Sequence, residues 1–510
     1  MSADQICFPF NEADNKYGGR WLSELHEEIK QIYLSDNRPW VIGYSGGKDS
    51  TTALQLVWYA LNDLPKQKLT KPIYVISSDT LVETPLVVDH IHNSLKEIQK
   101  EAEELSLPIY ANLVKPELNN TFWVNLLGKG YPIPYTRSRW CTDRLKISPA
   151  NRFILEKVAE HGEVLLVLGV RKSESVTRAQ VINMRSIKGT ILKSHTSLPG
   201  AFVYAPIVDF SIDDVWEYLL EVPSPWGKAY NNQYLFDLYK SANSAECPLV
   251  IDNTTPSCGN SRFGCWACTV VKKDHSMESL IKSGEDWMKP LLKFRDILSE
   301  LNDPAIKHLY RDHRRRDGKV YFKEGRYKNN HDQTEDDNIS SKIIAWGQTR
   351  IDKGLSEKAV NLLQRLGLEV KERDKEGGLP QILLRELLKA QVKIQETRPD
   401  ISLISIEELE NIRALWKTEQ NDWIDQVPII YFEATGHNLD WIQDDVTSFS
   451  KKERNLLEKI CRNKNVSADL VVALLDLEKQ YHGMSRRSNI YKKIDKMFNK
   501  DWRSVEEVLT

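Results

Sequence analysis

The sequence lacks any long hydrophobic run, and it carries almost no net charge. Lys and Arg total 70 while Asp and Glu total 72, so the formal net charge at pH 7 is −2. Such a chain is not drawn as a whole to nucleic acid or to an anionic membrane, and affinity for either has to come from a local patch. The clearest apolar run, Val164–Val170, includes a glycine and falls far short of the ~18 residues of a membrane-spanning helix. With no basic stretch at its start, the sequence predicts a cytoplasmic protein with no part in the membrane.

Cysteines are few, and the histidines form no metal-binding pattern. Seven cysteines in 510 residues do not make a disulfide scaffold, and the 11 histidines show no H-E-x-x-H spacing. No repeat occurs at a solenoid period, and no long Pro- or Ser-rich linker divides the chain. The hydrophobic fraction of 41% is ample for packed cores. A length of 510 residues therefore predicts two or three domains.

Strands and helices alternate through the first third of the sequence. Short apolar runs predict strands at 39–44, 73–77, 109–114 and 164–169. Amphipathic spacing predicts helices at 21–34, after Ser50, within 82–105 and at 148–160. This rhythm is typical of an α/β fold with a doubly wound parallel sheet. From Ser340 onward most of the sequence has helical spacing, which predicts a mainly α-helical C-terminal region.

The composition changes between these two regions. We expect an α/β domain over 1–290, a basic and then acidic connecting segment over 291–345, and a mainly helical domain over 346–510. Between Leu301 and Asn330, nine Lys or Arg residues stand against four Asp or Glu, a local charge of +5. Arginines interleaved with tyrosines suit contacts with nucleic-acid phosphates and bases. A solvated loop or a protein-docking surface explains the same segment almost as well.

A glycine loop, Ser45–Ser50 with the sequence S-G-G-K-D-S, joins the first strand to a helix. Two glycines allow backbone N–H groups to approach an anion, and the positive end of the helix faces it. Lys48 adds a positive charge, while Asp49 suits a phosphate site only with Mg²⁺ between them. The spacing is not that of Walker A. The predicted nucleotide-binding residues are Ser45, Gly46, Gly47, Lys48, Asp49 and Ser50.

The glycine loop resembles the signature of the ATP pyrophosphatases, which cleave ATP between the α- and β-phosphates. Gly169–Arg178 resembles the G-x-R-x-x-E-S-x-x-R segment of the phosphoadenylyl-sulfate (PAPS) reductases, and Ser78-Asp79-Thr80 resembles the segment near adenine and ribose. The resemblance spans about residues 30–270. It implies an adenine nucleotide alpha hydrolase-like fold, with Asp79 beside the nucleoside and with Arg171 and Arg178 on phosphate. Because the Gly-Gly-Lys portion is intact, it favours cleavage of ATP itself.

A cluster of cysteines forms the second candidate site. Cys258, Cys265 and Cys268 lie within eleven residues, at x₆ and x₂ spacing. The segment Arg139–Lys146, which contains Cys141, resembles the cysteine motif of iron–sulfur adenylyl-sulfate reductases, with Trp140 in place of a first cysteine. The resemblance implies Cys141, Cys258, Cys265 and Cys268 as ligands of a [4Fe–4S] cluster, with Zn²⁺ as the alternative. Cys247 is a rival fourth ligand or a persulfide carrier, and buried unligated thiols remain the simplest alternative.

Taken together, the motifs resemble the DndC-type sulfurtransferases of bacterial DNA phosphorothioation, a branch of the PAPS reductase family. The resemblance extends to Tyr131–Pro149, to the region of Cys247–Cys268 and to Tyr481–Arg487. It implies ATP cleavage to AMP and pyrophosphate, which activates a DNA backbone phosphate for exchange of a non-bridging oxygen for sulfur. Lys48, Asp49, Arg171 and Arg178 would be the catalytic residues. The implied partners are DNA, a cysteine desulfurase as sulfur source, an ATPase and a small DNA-binding protein.

Three other functions stay open. A sulfonucleotide (PAPS or adenylyl-sulfate) reductase would need a thioredoxin-dependent cysteine near the C-terminus, and Cys461 has no such setting. A tRNA thiolase would need a tRNA-binding module, which is not evident. A non-catalytic scaffold of a DNA-modification complex would bind nucleotide without releasing AMP and pyrophosphate.

Overall fold

The chain divides into two compact units, described from a computed structural model. The first comprises Met1–Phe122 and Pro134–Arg295, and the second comprises Trp123–Ile133 and Asp296–Thr510. Within these ranges, the structure describes residues 15–174, 192–195, 198–227, 231–242, 264–302, 379–419, 422, 425–439, 441, 451–464, 466–481, 490–499 and 502. The predicted boundaries at 290 and 345 stay a prediction.

The first unit is built on a six-stranded sheet within the described residues. A separate antiparallel pair, β1 and β2, precedes it. The strands are β1 (Lys16–Tyr17), β2 (Arg20–Trp21), β3 (Trp40–Gly43), β4 (Ile73–Ser78), β5 (Ile109–Val114), β6 (Val164–Leu168), β7 (Lys193–Ser194) and β8 (Ala201–Tyr204). The order in the sheet is β5-β4-β3-β6-β8-β7, with β7 alone antiparallel to its neighbour. The predicted parallel α/β sheet is confirmed.

The strand order reverses direction between β3 and β6. After β3 the chain builds outward through β4 and β5, and it then returns to place β6 on the other side of β3. Ile42 lies opposite both Val75 and Val167 in this register. In open α/β sheets, ligands bind outside the carboxyl ends of the strands at such a switch point. The glycine loop follows β3, and Gly169 follows β6.

Helices cover both faces of the sheet because successive strand residues point to opposite sides. Trp40, Ile42 and Val75 are buried with the apolar residues of the first three helices, whereas Val41 and Ile76 are buried with residues of the fifth. The helices described in this unit are α1 (Leu22–Leu34), α2 (Lys48–Asn62), α3 (Pro85–Glu104), α4 (Trp140–Thr142), α5 (Ser148–His161), α6 (Ile212–Glu221), α7 (Asn232–Ala242) and α8 (His275–Lys282). Next, α9 (Lys289–Leu301) continues across the boundary at Arg295.

The described part of the second unit is helical. Its helices are α10 (Leu379–Gln395), α11 (Ile406–Glu419), α12 (Gln426–Thr435), α13 (Lys451–Asn463), α14 (Ala468–Tyr481) and α15 (Ile490–Phe498). The prediction of a mainly helical C-terminal region is confirmed. None of the described helices is both long and apolar enough to cross a bilayer.

A short segment from the first third of the chain belongs to this helical unit. The indole Nε1 of Trp123 donates to the Leu403 carbonyl at 2.7 Å, and the indole Nε1 of Trp416 donates to the Leu127 carbonyl at 2.8 Å. A Cβ at Gly128 would lie 2.7 Å from Leu415 Cδ1. Helical periodicity gave no indication of this insertion, because the contacts join residues about 280 positions apart.

Candidate nucleotide and thiol site

The glycine loop leaves β3 and enters α2 through a tightly fixed turn. Gly46 has a φ of +68°, and a Cβ there would lie 2.9 Å from Ile91 Cγ1, so glycine is required. The Ser50 hydroxyl accepts the Ser45 N–H at 3.1 Å and donates to the Gly47 carbonyl at 2.9 Å. Ser50 therefore closes the turn, which leaves Ser45, Gly46 and Gly47 on the wall of a cleft of about 1220 Å³.

A histidine to which the sequence assigned no role holds the loop. The Nε2 of His90, on α3, donates to the Gly46 carbonyl at 3.0 Å, and the His90 ring stacks on Tyr234 with 5.4 Å between centroids. Only 3% of His90 is exposed. Burial lowers the pKa of His90, while the hydrogen bond to Gly46 opposes this shift. The neutral ring, with its proton on Nε2, is thus the form that supports the loop.

Asp49 and Arg171 form an ion pair instead of standing apart around a ligand. Arg171 Nε lies 2.5 Å from Asp49 Oδ1, and Lys48 Nζ lies 3.2 Å from Asp49 Oδ2. Arg171 is 5% exposed and also donates to the Ser173 hydroxyl at 2.9 Å. A Mg²⁺ ion held by Asp49 would thus compete with two cations for the carboxylate oxygens.

Gly169 allows this pair to form. A Cβ at Gly169 would lie 2.5 Å from the carbonyl oxygen of Asp49 and 2.9 Å from the Ser50 nitrogen. The end of β6 therefore passes against the first turn of α2 with no room for a side chain. This contact brings the segment with Arg171 to the glycine loop.

Asp79 lies one residue beyond β4, at the carboxyl edge of the sheet. It is 7% exposed, and its Oδ1 accepts the Leu81 N–H at 2.9 Å. Its Oδ2 lies 3.7 Å from both Lys115 Nζ and His92 Nε2. Asp79 shapes the turn after β4, and two basic groups flank the carboxylate.

Three of the four predicted cysteine ligands line the same cleft as the glycine loop. Cys141 on α4 and the Cys265–Cys268 turn contribute to its wall. The Cys268 N–H donates to the Cys265 carbonyl at 3.0 Å, and Cys265 Sγ lies 3.5 Å from Thr80 Oγ1. Burial raises the pKa of Cys265 to about 11, and burial followed by the charge of Cys268 raises that of Cys141.

Lys146 is the basic group beside these thiols. Its Nζ lies 3.0 Å from Glu83 Oε1. Burial lowers the pKa of Lys146, but Glu83, Cys265 and Cys141 together outweigh burial and raise it. Lys146 stays protonated and supplies positive charge where a thiolate would form.

The donor chemistry of this wall suits a thiolate-bound metal centre, but the described residues do not assemble one. Among them, no group of three or more His, Cys, Asp or Glu side chains is placed to hold a metal ion. Cys258, the predicted fourth ligand, lies outside the described residues, as do Cys247, Arg178 and the basic segment from 303 onward. Cluster and zinc ligation both stay predictions.

Two segments match known protein families. Residues 39–271 match the phosphoadenosine phosphosulfate reductase domain. Residues 452–499 match a small protein found in certain Dnd DNA modification systems. The first match contains the glycine loop and all four predicted cysteine ligands, and the second covers most of α13 and all of α14 and α15.

An uncharacterized protein of Methanocaldococcus jannaschii is 30% identical over 280 residues, which are 55% of this chain and 45% of that protein. The chain thus spans less than half the length of this curated relative.

Solved structures with similar regions share little sequence with the chain. The alignment with PAPS reductase from Candida auris covers 40% of this chain and 88% of the reductase chain, at 17% identity and a TM-score of 0.25. The alignment with FMN adenylyltransferase from Candida glabrata covers 49% of this chain and 74% of the transferase chain, at 14% identity and a TM-score of 0.26. The alignment with the U34-tRNA thiolase of Methanococcus maripaludis, solved with its [4Fe–4S] cluster, covers 57% of this chain and 85% of the thiolase chain, at 13% identity and a TM-score of 0.27.

The first match contains both β3 and β6, the two strands at which the sheet order reverses. The chain thus contains a region similar to the PAPS reductase domain, at 39–271, and a region similar to a small protein of certain Dnd DNA modification systems, at 452–499.

Proposed function

We propose that the protein is a sulfurtransferase of DNA phosphorothioate modification that cleaves ATP to AMP and pyrophosphate. The observation that carries the proposal is the shared cleft: Ser45, Gly46 and Gly47 line the same cleft as Cys141, Cys265 and Cys268. Transfer between a nucleotide-activated group and a sulfur carrier requires the two to lie close together. The match of residues 452–499 to a Dnd-system protein supports DNA as the substrate.

In this proposal the glycine loop binds the β- and γ-phosphates of ATP. Backbone N–H groups at the start of α2 and the positive end of that helix face the anion. Lys48 turns from Asp49 toward phosphate, and Asp79 lies on the nucleoside side. Asp49 orients Mg²⁺ when the nucleotide brings it, and Arg171 and Arg178 stabilise charge during transfer.

The chemistry proceeds in two displacements. A non-bridging oxygen of a DNA phosphodiester attacks the α-phosphorus of ATP, an O–P bond forms, and pyrophosphate leaves with the electron pair of the broken bond. Sulfur at the oxidation level of sulfide then attacks the DNA phosphorus, and AMP leaves with the oxygen. No electrons are gained or lost overall, and the proton of a hydrosulfide goes to solvent. Activation is needed because an unmodified phosphodiester oxygen is a very poor leaving group.

We assign the cysteines of the cleft to the handling of sulfur. Cys141, Cys258, Cys265 and Cys268 would hold a [4Fe–4S] cluster, with Zn²⁺ as the alternative; such a centre would keep sulfur close to the activated phosphate. Anaerobic purification tests this: we expect about four iron atoms per chain and a visible absorption band, both lost in Cys265→Ser and kept in Cys461→Ala. Protein with neither iron nor zinc would refute the metal centre.

The proposed partners follow from the same activity. A cysteine desulfurase would supply sulfur as a persulfide, and a thiol reductant would release it as sulfide while the inner persulfide sulfur and the thiol form a disulfide. An ATPase and a small DNA-binding protein of the Dnd system would act with this chain on DNA.

The decisive experiment measures the product in DNA. Cells that carry the complete system should yield phosphorothioate dinucleotides by mass spectrometry after nuclease digestion, and cells with Lys48→Ala should not. Purified Lys48→Ala should also release pyrophosphate at least a hundredfold more slowly, whereas Lys96→Ala, on the exposed side of α3, should match the wild type. Normal pyrophosphate release by Lys48→Ala would refute the assignment.

A sulfonucleotide reductase is the second candidate, because residues 39–271 match the reductase domain. Cys461, the most C-terminal cysteine, is 5% exposed on α13, which disfavours it as a thioredoxin-dependent nucleophile. Release of sulfite from PAPS or adenylyl sulfate with thioredoxin would favour the reductase. A scaffold would bind ATP without forming AMP.

A further inference from the structure

Two separate segments of the first unit build the thiol end of the cleft. One is the turn at 135–139, in which Tyr135 and Ser138 exchange both backbone hydrogen bonds, at 3.2 and 2.8 Å. The other is the loop at 265–273. Thr269 Oγ1 donates to the Pro134 carbonyl at 2.5 Å and ties the loop to the turn. The two segments therefore form one continuous wall.

A fully buried arginine fixes the loop from behind. Arg295, on α9, is 0% exposed. Its Nε donates to the Cys268 carbonyl at 3.0 Å, its Nη1 to the Lys272 carbonyl at 2.7 Å, and its Nη2 to the Val271 carbonyl. Three carbonyls held by one rigid guanidinium leave the loop backbone little freedom. The side chains of Lys272 and Lys273 therefore extend from a backbone that is already fixed.

Three exposed cations stand on this wall: Arg139 from the turn, and Lys272 and Lys273 from the loop. All three line the cleft and are solvent-exposed. We call them the cationic rim. Among the residues whose positions are described, no acidic side chain forms an ion pair with any of them.

Three acidic groups of the cleft and of α8 have partners of their own. Glu83 pairs with Lys146 at 3.0 Å, Asp274 accepts the Met277 N–H at 3.0 Å as the cap of α8, and Glu278 lies 3.3 Å from His275. The cationic rim is thus a local excess of positive charge in a chain of net charge −2. Such an excess at the mouth of a cleft attracts an anionic ligand.

The size of the cleft leaves room for a second ligand beside the nucleotide. Its volume of about 1220 Å³ exceeds the range of about 300–1,000 Å³ that is usual for small-molecule sites. Cations that stand on two different segments suit a row of consecutive phosphates better than one compact anion, because each cation can then contact a different phosphate.

We propose that the cationic rim binds the sugar–phosphate backbone of the DNA strand whose phosphate enters the cleft. The inference rests on the proposed function and adds where the DNA is held. Contacts of this kind position a strand without reading its sequence. They place the strand at the thiol side of the cleft that the glycine loop also lines.

The test is the salt dependence of DNA binding, measured by fluorescence anisotropy with a labelled duplex and the full-length protein. Each phosphate that the protein no longer neutralises should reduce the slope of log K against log salt by about 0.9. Lys272→Gln/Lys273→Gln should therefore lower the slope by about 1.8, and adding Arg139→Gln by about 2.7. Lys68→Gln/Lys96→Gln removes the same charge from exposed positions elsewhere and should leave the slope unchanged.

An unchanged slope in the Lys272→Gln/Lys273→Gln protein, with a thermal midpoint like the wild type, would overturn the inference. So would rim-dependent binding of tRNA that is tighter than that of duplex DNA at equal salt. Phosphorothioate analysis separates the two proposals. If the rim substitutions reduce the salt slope of DNA binding but the wild-type protein makes no phosphorothioate, the proposed role of the rim is supported and the proposed function is refuted.

Discussion

Arg171 and Asp49 are 122 residues apart in sequence, yet Arg171 Nε lies 2.5 Å from Asp49 Oδ1. The pair joins the first turn of α2, which follows β3, to the segment after β6. These two strands are neighbours at the point where the sheet order reverses. One ion pair therefore fixes both sides of the switch-point crevice, and it holds the glycine loop in register with the segment from Gly169 to Ser173.

Arg171→Met should destabilise the first unit by less than the roughly 3–5 kcal/mol of a fully broken buried pair, because the Asp49 carboxylate loses one cation but keeps Lys48, 3.2 Å away. The side chain of Asp49 is also 22% exposed, which lowers the cost further. Urea denaturation followed by tryptophan fluorescence measures the change.

The Arg171→Met/Asp49→Asn protein is the matched control. It removes both charges and should recover most of the lost stability, while pyrophosphate release should stay at the level of the single variants. Recovery of both stability and turnover would show that the pair is only structural.

Gly169→Ala should weaken ATP binding and lower stability together. The new Cβ would meet the Asp49 carbonyl oxygen at 2.5 Å, and forced overpacking of this kind costs about 1–3 kcal/mol. Isothermal titration with ATP and thermal unfolding measure the two effects.

Gly264→Ala serves as the control, since a Cβ there meets no atom within 4 Å. A Gly169→Ala protein as stable as Gly264→Ala would contradict the close approach of β6 and α2.

His90 should make the stability of the first unit depend on pH. Its pKa is lowered in the folded state, below the ~6.5 of a free histidine. The stability it contributes is complete above that value and is lost as pH falls from about 7 toward the folded pKa, because the unfolded chain takes up the proton first. Each unit of pKa difference corresponds to about 1.4 kcal/mol.

The measurement compares the free energy of unfolding of wild type and His90→Gln at pH 7.5 and at pH 5.5. Glutamine offers a donor to the Gly46 carbonyl but does not titrate in this range, so the wild type should lose more stability between the two conditions. Equal losses in the two proteins would exclude a buried, neutral His90.

Trp416→Phe tests the placement of the segment from Trp123 to Ile133 in the helical unit. The substitution keeps an aromatic ring but removes the donor to the Leu127 carbonyl, 2.8 Å away. Leaving a buried carbonyl unsatisfied costs about 1–3 kcal/mol. Limited proteolysis should show faster cleavage within 123–133, while sites in the first unit stay protected. Unchanged cleavage would contradict the contact.

The site could be predicted from sequence wherever its residues are local. The glycine loop was recognisable because six consecutive residues between a strand and a helix carry the signal, and Gly46 does adopt the positive φ that such a loop requires. His90 could not be assigned its role, because a histidine on an amphipathic helix gives no hint that its ring will reach a carbonyl 44 residues away. The pairing of Asp49 with Arg171 was equally invisible, since both had been assigned to ligands.

By itself the sequence determined the alternation of strands and helices, the helical character of the C-terminal region and the motifs that follow β3 and β6, since hydrophobic period and turn chemistry are properties of neighbouring residues. Tertiary structure alone decided which side chains meet. It placed Trp123–Ile133 with the C-terminal helices, brought three cysteines to the cleft of the glycine loop, and set the cationic rim beside them. Contacts between distant segments depend on how packed surfaces fit, and no local pattern encodes that fit.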